Sequence, residues 1–249
     1  MKLLLTVAEN EVRKLFISPF AWLVTAALQF LLAVFFYLML SQFMGQGVQA
    51  ASRGLTETVV VGLFEVTGIM LLMISPVITM RSFSDELRSG TIMLLLSSPV
   101  SITELVLGKY LGVMAYYLGL VALITLMPLS LMAGTKIDGW LMTSALLGLV
   151  LLLSAFAAIG IFISTLSKSP ALAAAGSFFL TFLLWISHIA NDTGNNVVES
   201  IANYLSLQKH FSAMLSGAFS SADASYFILL ASLFIALSIC RMDAIRSHQ

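Results

Sequence analysis

The chain has 249 residues, 59% of them hydrophobic and only 10% charged, and its 12 basic and 12 acidic side chains cancel to a net charge of zero. That balance excludes a water-soluble domain and gives no electrostatic case for a nucleic-acid partner; it describes an all-α integral membrane protein. The lone cysteine, Cys240, excludes an intrachain disulfide framework.

The N-terminus, MKLLLTVAENEVRK, carries a leucine run that Glu9, Asn10 and Glu11 interrupt before a signal-peptide core can form, so it reads as retained. Residues 1–18 instead predict an amphipathic interfacial helix. Leu4, Leu5, Ala8, Val12, Leu15 and Phe16 share one face, Lys2, Thr6, Glu9 and Arg13 lie opposite, and Ser18 and Pro19 stop it. It is expected to rest on the inner leaflet, with Glu11 at the edge of the apolar face suited to protein contact.

A spanning helix needs roughly 20 apolar residues. Six transmembrane helices are predicted, near 20–40, 59–80, 105–133, 140–166, 170–190 and 224–240. With the N-terminus inside, only Arg53, Lys136 and Lys209 of the lysines and arginines fall outside, so both termini are expected in the cytoplasm. Trp22 and Tyr110 suit inner boundaries, and Tyr37, Trp140, Trp185 and Tyr226 suit outer ones.

Within the first two spans, Gln29 and Glu65 are the polar groups placed deep enough to be candidates for a translocation path. Gln29 also fits a plain interhelical hydrogen bond. Between the second and third spans, the inner segment 81–104 crowds Arg81, Asp85, Glu86 and Arg88 into eight residues before an apolar run, Ile92 to Leu96, far too short to cross a bilayer. Gly90 or Thr91 is expected to start a short helix that Pro99 ends, apolar on nearly every side and therefore in need of cover. Part of that cover would come from the inner ends of the spans, part from a cytosolic partner with an apolar groove, with Asp85, Glu86 and Arg88 as a polar rim. Ser101 to Glu104 form a capping box that starts the third span.

Further along, the small residues of 171–177, Ala171, Ala174 and Ala175 among them, permit close helix approach and are a candidate dimer interface or an intrachain contact. His188 and Asp192 stand four apart near the end of the fifth span, and His210 on the outer loop could join them. Two ligands do not make a metal site, and the 13 methionines of so apolar a chain are packing residues, so no metal site is predicted. In the outer loop, 191–223, apolar residues recur at helical spacing at Val198, Ile201, Ala202 and Leu205, and again at Phe211, Met214, Leu215 and Ala218, which predicts two short helices before the last span.

The stretch SPVITMRSFSDELRSGTIMLLLSSPVSITELVLGKYLG resembles the coupling region of ABC-2 type permeases, the membrane subunits of ATP-binding-cassette exporters. The resemblance rests on Met80, Arg81, Phe83, Glu86, Gly90, Thr91, Leu95, Leu96, Pro99, Gly108 and Lys109. A weaker resemblance, YLSLQKHFSAMLSG, is to the gliding-motility and nitrous-oxide-reductase-maturation permeases. Together with the six spans and the amphipathic N-terminal helix, the resemblance covers essentially the whole chain as one transmembrane domain. The resemblance implies a bacterial inner-membrane permease that dimerises, as a homodimer or with a related chain, and is driven by two copies of a cytoplasmic ATPase. That partner would hold ATP and Mg and grip the segment carrying Arg81, Phe83, Asp85, Glu86, Arg88, Gly90, Thr91, Ile92, Leu95, Leu96 and Pro99. The chain itself has no G-x-x-x-x-G-K-[ST] loop, no catalytic residues and no cofactor of its own. The competing class, a secondary transporter or channel, needs ionisable residues spread through the spans, and only Glu65 qualifies. A membrane enzyme needs a converging nucleophile and base, which the three scattered histidines do not supply.

Overall fold

The computed structural model describes residues 2–45, 54–92, 101–132, 138–187, 189 and 204–247, which are helical with no strands among them. In chain order the helices are α1 (Lys2–Ile17), α2 (Pro19–Gly45), α3 (Gly62–Thr79, entered through a π-helical stretch, Thr56–Val61), α4 (Arg81–Ser89), α5 (Ile102–Leu131), α6 (Gly139–Leu166), α7 (Pro170–Ile186), α8 (Leu207–Leu215) and α9 (Ser221–Ser247).

Five helical stretches are long and apolar enough to cross a membrane: Pro19–Gly45, Thr56–Ser89, Ile102–Leu131, Gly139–Leu166 and Ser221–Ser247. Each contains one of the spans expected from sequence or most of it. The last is longer than expected at both ends because its helix runs past the apolar stretch into Arg241, Asp243 and Arg246, where Met242 is still buried against the core. The stretch expected to cross at 170–190 is the shorter helix α7, which at 1.5 Å per residue reaches only about 25 Å.

Helix α6 is the hub. It is apolar on every side, and Leu149, Leu152, Leu153, Ala155, Phe156, Ala157 and Ile159 are all buried to within about 1%, the pattern of a helix surrounded by others. It packs on α3, α4, α5, α7, α8 and α9. Asp138 caps its start by accepting hydrogen bonds from the Trp140 and Leu141 amides, 3.0 and 3.4 Å. The Asp138 amide in turn donates to Thr56 Oγ1 at 3.2 Å, tying that end of α6 to the entry of α3. Gly160 permits the tightest crossing: a Cβ there would lie 2.6 Å from Thr79 Cβ on α3. Helices α2 and α9 are peripheral, and most of their side chains face outward from the single chain.

Small polar groups join helices across this apolar interior, as in other membrane bundles. Ser75 on α3 meets the Tyr117 hydroxyl on α5 at 2.6 Å, and Thr25 on α2 meets the Tyr116 hydroxyl at 2.7 Å. Gln29 donates to the Leu123 carbonyl at 3.3 Å, the interhelical role weighed against a place in a transport path.

Helix α8 carries Phe211, Met214 and Leu215 of the second series expected in the outer loop, while Ala218 lies beyond its end and is exposed. Phe211, Met214 and Leu215 are buried, with Met214 pressed on Gly148 of α6 and Phe211 on Gly68 of α3. The helix is thus docked into the bundle end. The first series lies outside the described residues at Val198, Ile201 and Ala202, and Leu205 is exposed.

Candidate functional site

At the end of the bundle that carries α4, three helices converge on one buried cation. Helix α5 starts at Ser101, whose hydroxyl accepts from the Glu104 amide at 3.2 Å while its own amide donates to the Glu104 carboxylate at 3.4 Å, the expected capping box. Two turns on stands Lys109, only 2% exposed. An ammonium this deep is costly unless paired and hydrogen-bonded. Its Nζ donates to Glu86 Oε1 at 2.5 Å and to the Ser82 carbonyl, lies 3.9 Å from Glu11 Oε2, and sits 4.6 Å from the centre of the Phe83 ring. Glu86, Ser82 and Phe83 belong to α4 and Glu11 to α1, so one side chain holds both helices to the base of α5.

The local sequence explains how α1 comes so close. Gly108 and Gly112 flank Lys109 at a spacing of four and face α1. A Cβ at Gly108 would be 2.8 Å from Val7 Cβ, and one at Gly112 would be 2.6 Å from Glu11 Cβ. Without side chains at these positions the two backbones approach closely and deliver the Glu11 carboxylate to Lys109. The face that α1 turns to α5 therefore centres on Val7 and buried Glu11. The amphipathic reading put Glu11 at the edge of a face that included Leu5, which is 63% exposed. The deviation follows from Lys109, a buried partner that no periodicity in α1 alone can reveal.

Helix α4 follows α3 with only the turn at Met80 between them and is held from its other side by Ser84, whose hydroxyl donates to the Ser164 carbonyl of α6 at 3.2 Å. It ends at Gly90, whose left-handed φ of 73° gives glycine a specific role as the helix stop. Gly90 thus terminates α4, and Ile92 is again helical, so of the two starts expected for the following short helix Thr91 fits and Gly90 does not. Thr91 follows with its hydroxyl 2.8 Å from Ser89 Oγ, and Ile92, first residue of the apolar pentapeptide, is buried at 4% exposure. Leu95, Leu96 and Pro99 lie outside the described residues.

The polar rim also differs in part from expectation. Asp85, Arg88, Ser89 and Thr91, with Lys14 of α1, line an open polar cleft of about 490 Å³. Glu86 borders it but turns one carboxylate oxygen inward to Lys109; its Oε2 is buried without a hydrogen-bond partner among the described residues. Arg81 is exposed and lies 5.7 Å from the centre of the Phe20 ring of α2.

The remaining candidates stand apart from this cluster. Glu65 is on α3 and exposed on the outside of the single chain. On α7, Ala171 and Ala175 are exposed and Ala174 is half-buried. His210 on α8 is engaged at both ring nitrogens, Nδ1 2.6 Å from Asp223 Oδ1 and Nε2 3.0 Å from the Tyr204 carbonyl, and stacks on Tyr226 at 4.2 Å. His188 and Asp192 lie outside the described residues, and among the described residues no group of three side chains could hold a metal ion. The signal that sequence reading passed over is Lys109. A lysine two turns inside an apolar helix calls for a buried carboxylate, and the structure supplies Glu86 and Glu11.

A family profile described as ABC-2 family transporter protein matches residues 5–243. The chain belongs to that family. It is accordingly a multi-pass membrane protein and the permease part of an ABC transporter, a membrane subunit rather than the ATPase, which places an ABC ATPase among its partners. No curated protein matches the chain.

Proposed function

We propose that this ABC-2 permease couples ATP hydrolysis by a separate cytoplasmic ATPase to export across a bacterial inner membrane. The end of the bundle carrying α1 and α4 faces the cytoplasm, and residues 84–99 are the contact gripped by the ATPase. The observation that carries this reading is the Lys109 clamp. A force applied to α4 or to the chain just beyond Gly90 would pass through Glu86 and Ser82 to Lys109, and so to the base of α5, with α1 fixed to the same point through Glu11. Ser84 adds a tie to α6. A surface loop with no mechanical task has no need of such rigid anchorage.

The working unit in this reading has two permease copies, identical or related, and two ATPase subunits holding ATP and Mg. Six spans complete each copy. The short helix α7 counts as the fifth, its outer end extended by α8, where Trp185 meets Phe211 at 6.2 Å between ring centroids. A second copy would cover the exposed Ala171 and Ala175 and the outward faces of α2 and α9. Glu65 supports the dimer as well, since a carboxylate in a span calls for protein or water beside it, and in the single chain it is exposed. We place Glu65, with Gln29 in a lesser role, beside the path between the two copies. By the resemblance of the YLSLQKHFSAMLSG stretch, which contains α8, we place the chain with the gliding-motility and nitrous-oxide-reductase-maturation subgroup.

Co-purification with the ATPase tests the coupling role. Leu95→Asp or Leu96→Asp should abolish the association while the permease still inserts; unchanged association would overturn the assignment.

A further inference from the structure

Helix α8 lies across one end of the bundle as a cap. Its apolar side presses Phe211 on Gly68 of α3 and Met214 on Gly148 of α6, while His210 ties it to the start of α9. The two groups that meet the His210 ring are of one kind. Nδ1 lies 2.6 Å from Asp223 Oδ1, and Nε2 lies 3.0 Å from the Tyr204 carbonyl oxygen. A carbonyl and an ionised carboxylate accept hydrogen bonds and cannot donate them, so both ring nitrogens have to be donors, and a neutral imidazole has one N–H. With a neutral ring, one nitrogen lone pair would face an oxygen lone pair where the His210 and Asp223 side chains are each only 14% exposed and little water can intervene. The short contact to Asp223 suits a charge-assisted bond. Tyr226 stacks on the ring with centroids 4.2 Å apart and planes 22° from parallel, a favourable setting for a cation. The Tyr226 hydroxyl closes the same junction by donating to the Leu205 carbonyl at 2.7 Å.

Few other titratable groups surround the ring. They are Tyr204 just before α8, exposed Lys209 on α8 itself, and Asp223 and Tyr226 on α9. Of the other helices packed on α8, α6 and α7 contain no acidic, basic, tyrosine or cysteine residue, and α3 contains one, Glu65, which is exposed on the outside of the chain. Among the described residues Asp223 is therefore the one anion in contact with His210.

We propose that His210 is a proton-operated latch on α8: as an imidazolium it bridges Asp223 and the Tyr204 carbonyl and holds α8 to α9, and loss of one ring proton to water releases that junction. The neutral ring keeps one of its two bonds and turns a lone pair on the other oxygen. The latched form thus binds one proton more than the released form, so latching is complete at low pH and is lost as the pH rises through the titration of the ring. The inference rests on hydrogen-bond geometry and holds whatever the chain transports; in the orientation proposed above, α8 caps the outer end and the latch would respond to the pH outside.

Hydrogen exchange of the full chain in lipid nanodiscs, followed by mass spectrometry from about pH 5 to 9 and corrected for the intrinsic exchange rate, tests this. Protection of α8 should be level at the acid end and then fall with a slope approaching tenfold per pH unit, the signature of one linked proton, while protection of α6 stays level. His210→Gln removes the titrating ring and should make α8 protection independent of pH. Asp223→Asn separates the latch from docking in general: the new amide can donate to Nδ1 of a neutral ring whose Nε2–H stays on the Tyr204 carbonyl, so α8 should remain protected and its pH dependence should disappear. Nitrogen-15 spectra of the His210 ring, assigned by its loss in His210→Gln, should show both nitrogens protonated while α8 is docked. Level α8 protection across the range in the native chain, a pH dependence that survives in either variant, or a docked ring with one protonated nitrogen would each overturn the proposal.

Discussion

Replacing Lys109 by methionine keeps most of the apolar stem of the side chain and removes the terminal ammonium, its charge and its N–H donors together. In the native protein that charge faces Glu86 Oε1 at 2.5 Å, the Ser82 carbonyl, Glu11 Oε2 at 3.9 Å and the Phe83 ring at 4.6 Å. The Glu11 and Glu86 side chains are only 8% and 19% exposed, so without Lys109 two carboxylates face one another with little water to relieve them. Removing one partner of a buried ion pair costs about 3–5 kcal/mol, mostly the penalty of the stranded charge. Loss of the cation–π contact adds about 1 kcal/mol. Thermal unfolding of the purified permease in detergent should drop on the order of 10 °C for Lys109→Met, taking about 2–4 °C per kcal/mol for a domain of this size. The informative variant is the double one. With Glu86→Gln added, the nearest stranded charge is gone and more than half of the loss should return, a non-additivity that neighbouring groups show and distant ones do not. A Lys109→Met protein as stable as the native one, or a double variant whose losses simply add, would refute the clamp.

Other consequences concern separate parts of the fold. Gly112→Leu would push a side chain into Glu11 Cβ, 2.6 Å from the position of the new Cβ, and should release α1 from α5 at a cost of about 1–3 kcal/mol; faster proteolysis between α1 and α2 would report it, and an unchanged digest would contradict the close contact. Gly90→Ala forces a left-handed backbone on a residue with a Cβ and should cost about 1–2 kcal/mol, read as a lower unfolding midpoint together with weaker ATPase association. His210→Leu would strand the Asp223 carboxylate and the Tyr204 carbonyl and destabilise by about 1–3 kcal/mol, with enhanced hydrogen exchange in α8 as the specific sign; protection equal to the native protein would show that the cluster does not hold α8.

Hydrophobic runs made the long helices legible, because a spanning helix must bury or expose to lipid nearly every side chain, and only a run of sufficient length can do so. The capping box at Ser101 was legible because it is local: donor and acceptor stand three residues apart. Helix α8 was legible in its period, but its docking was not, since that depends on Gly68 and Gly148 in two other helices. The same reason hid the clamp. Glu11, Glu86 and Lys109 are separated by up to about a hundred residues, and each alone has a bland reading: an amphipathic edge, a polar rim, a helix start. The choice between Gly90 and Thr91 as the next helix start was hidden for a different cause. Glycine before an apolar run fits a boundary of either kind, and only its positive φ distinguishes the end of α4 from the beginning of another helix.

The account stands or falls on whether a separate motor grips the chain just beyond α4. A photo-crosslinking amino acid placed at Leu96, in cells expressing the permease with its ATPase, measures this directly. The account predicts an ultraviolet-dependent adduct between permease and ATPase that is absent when the crosslinker is placed at exposed Phe30 on α2. Adducts at Leu96 confined to the permease itself, with none to the ATPase in an assembled and active complex, would contradict it.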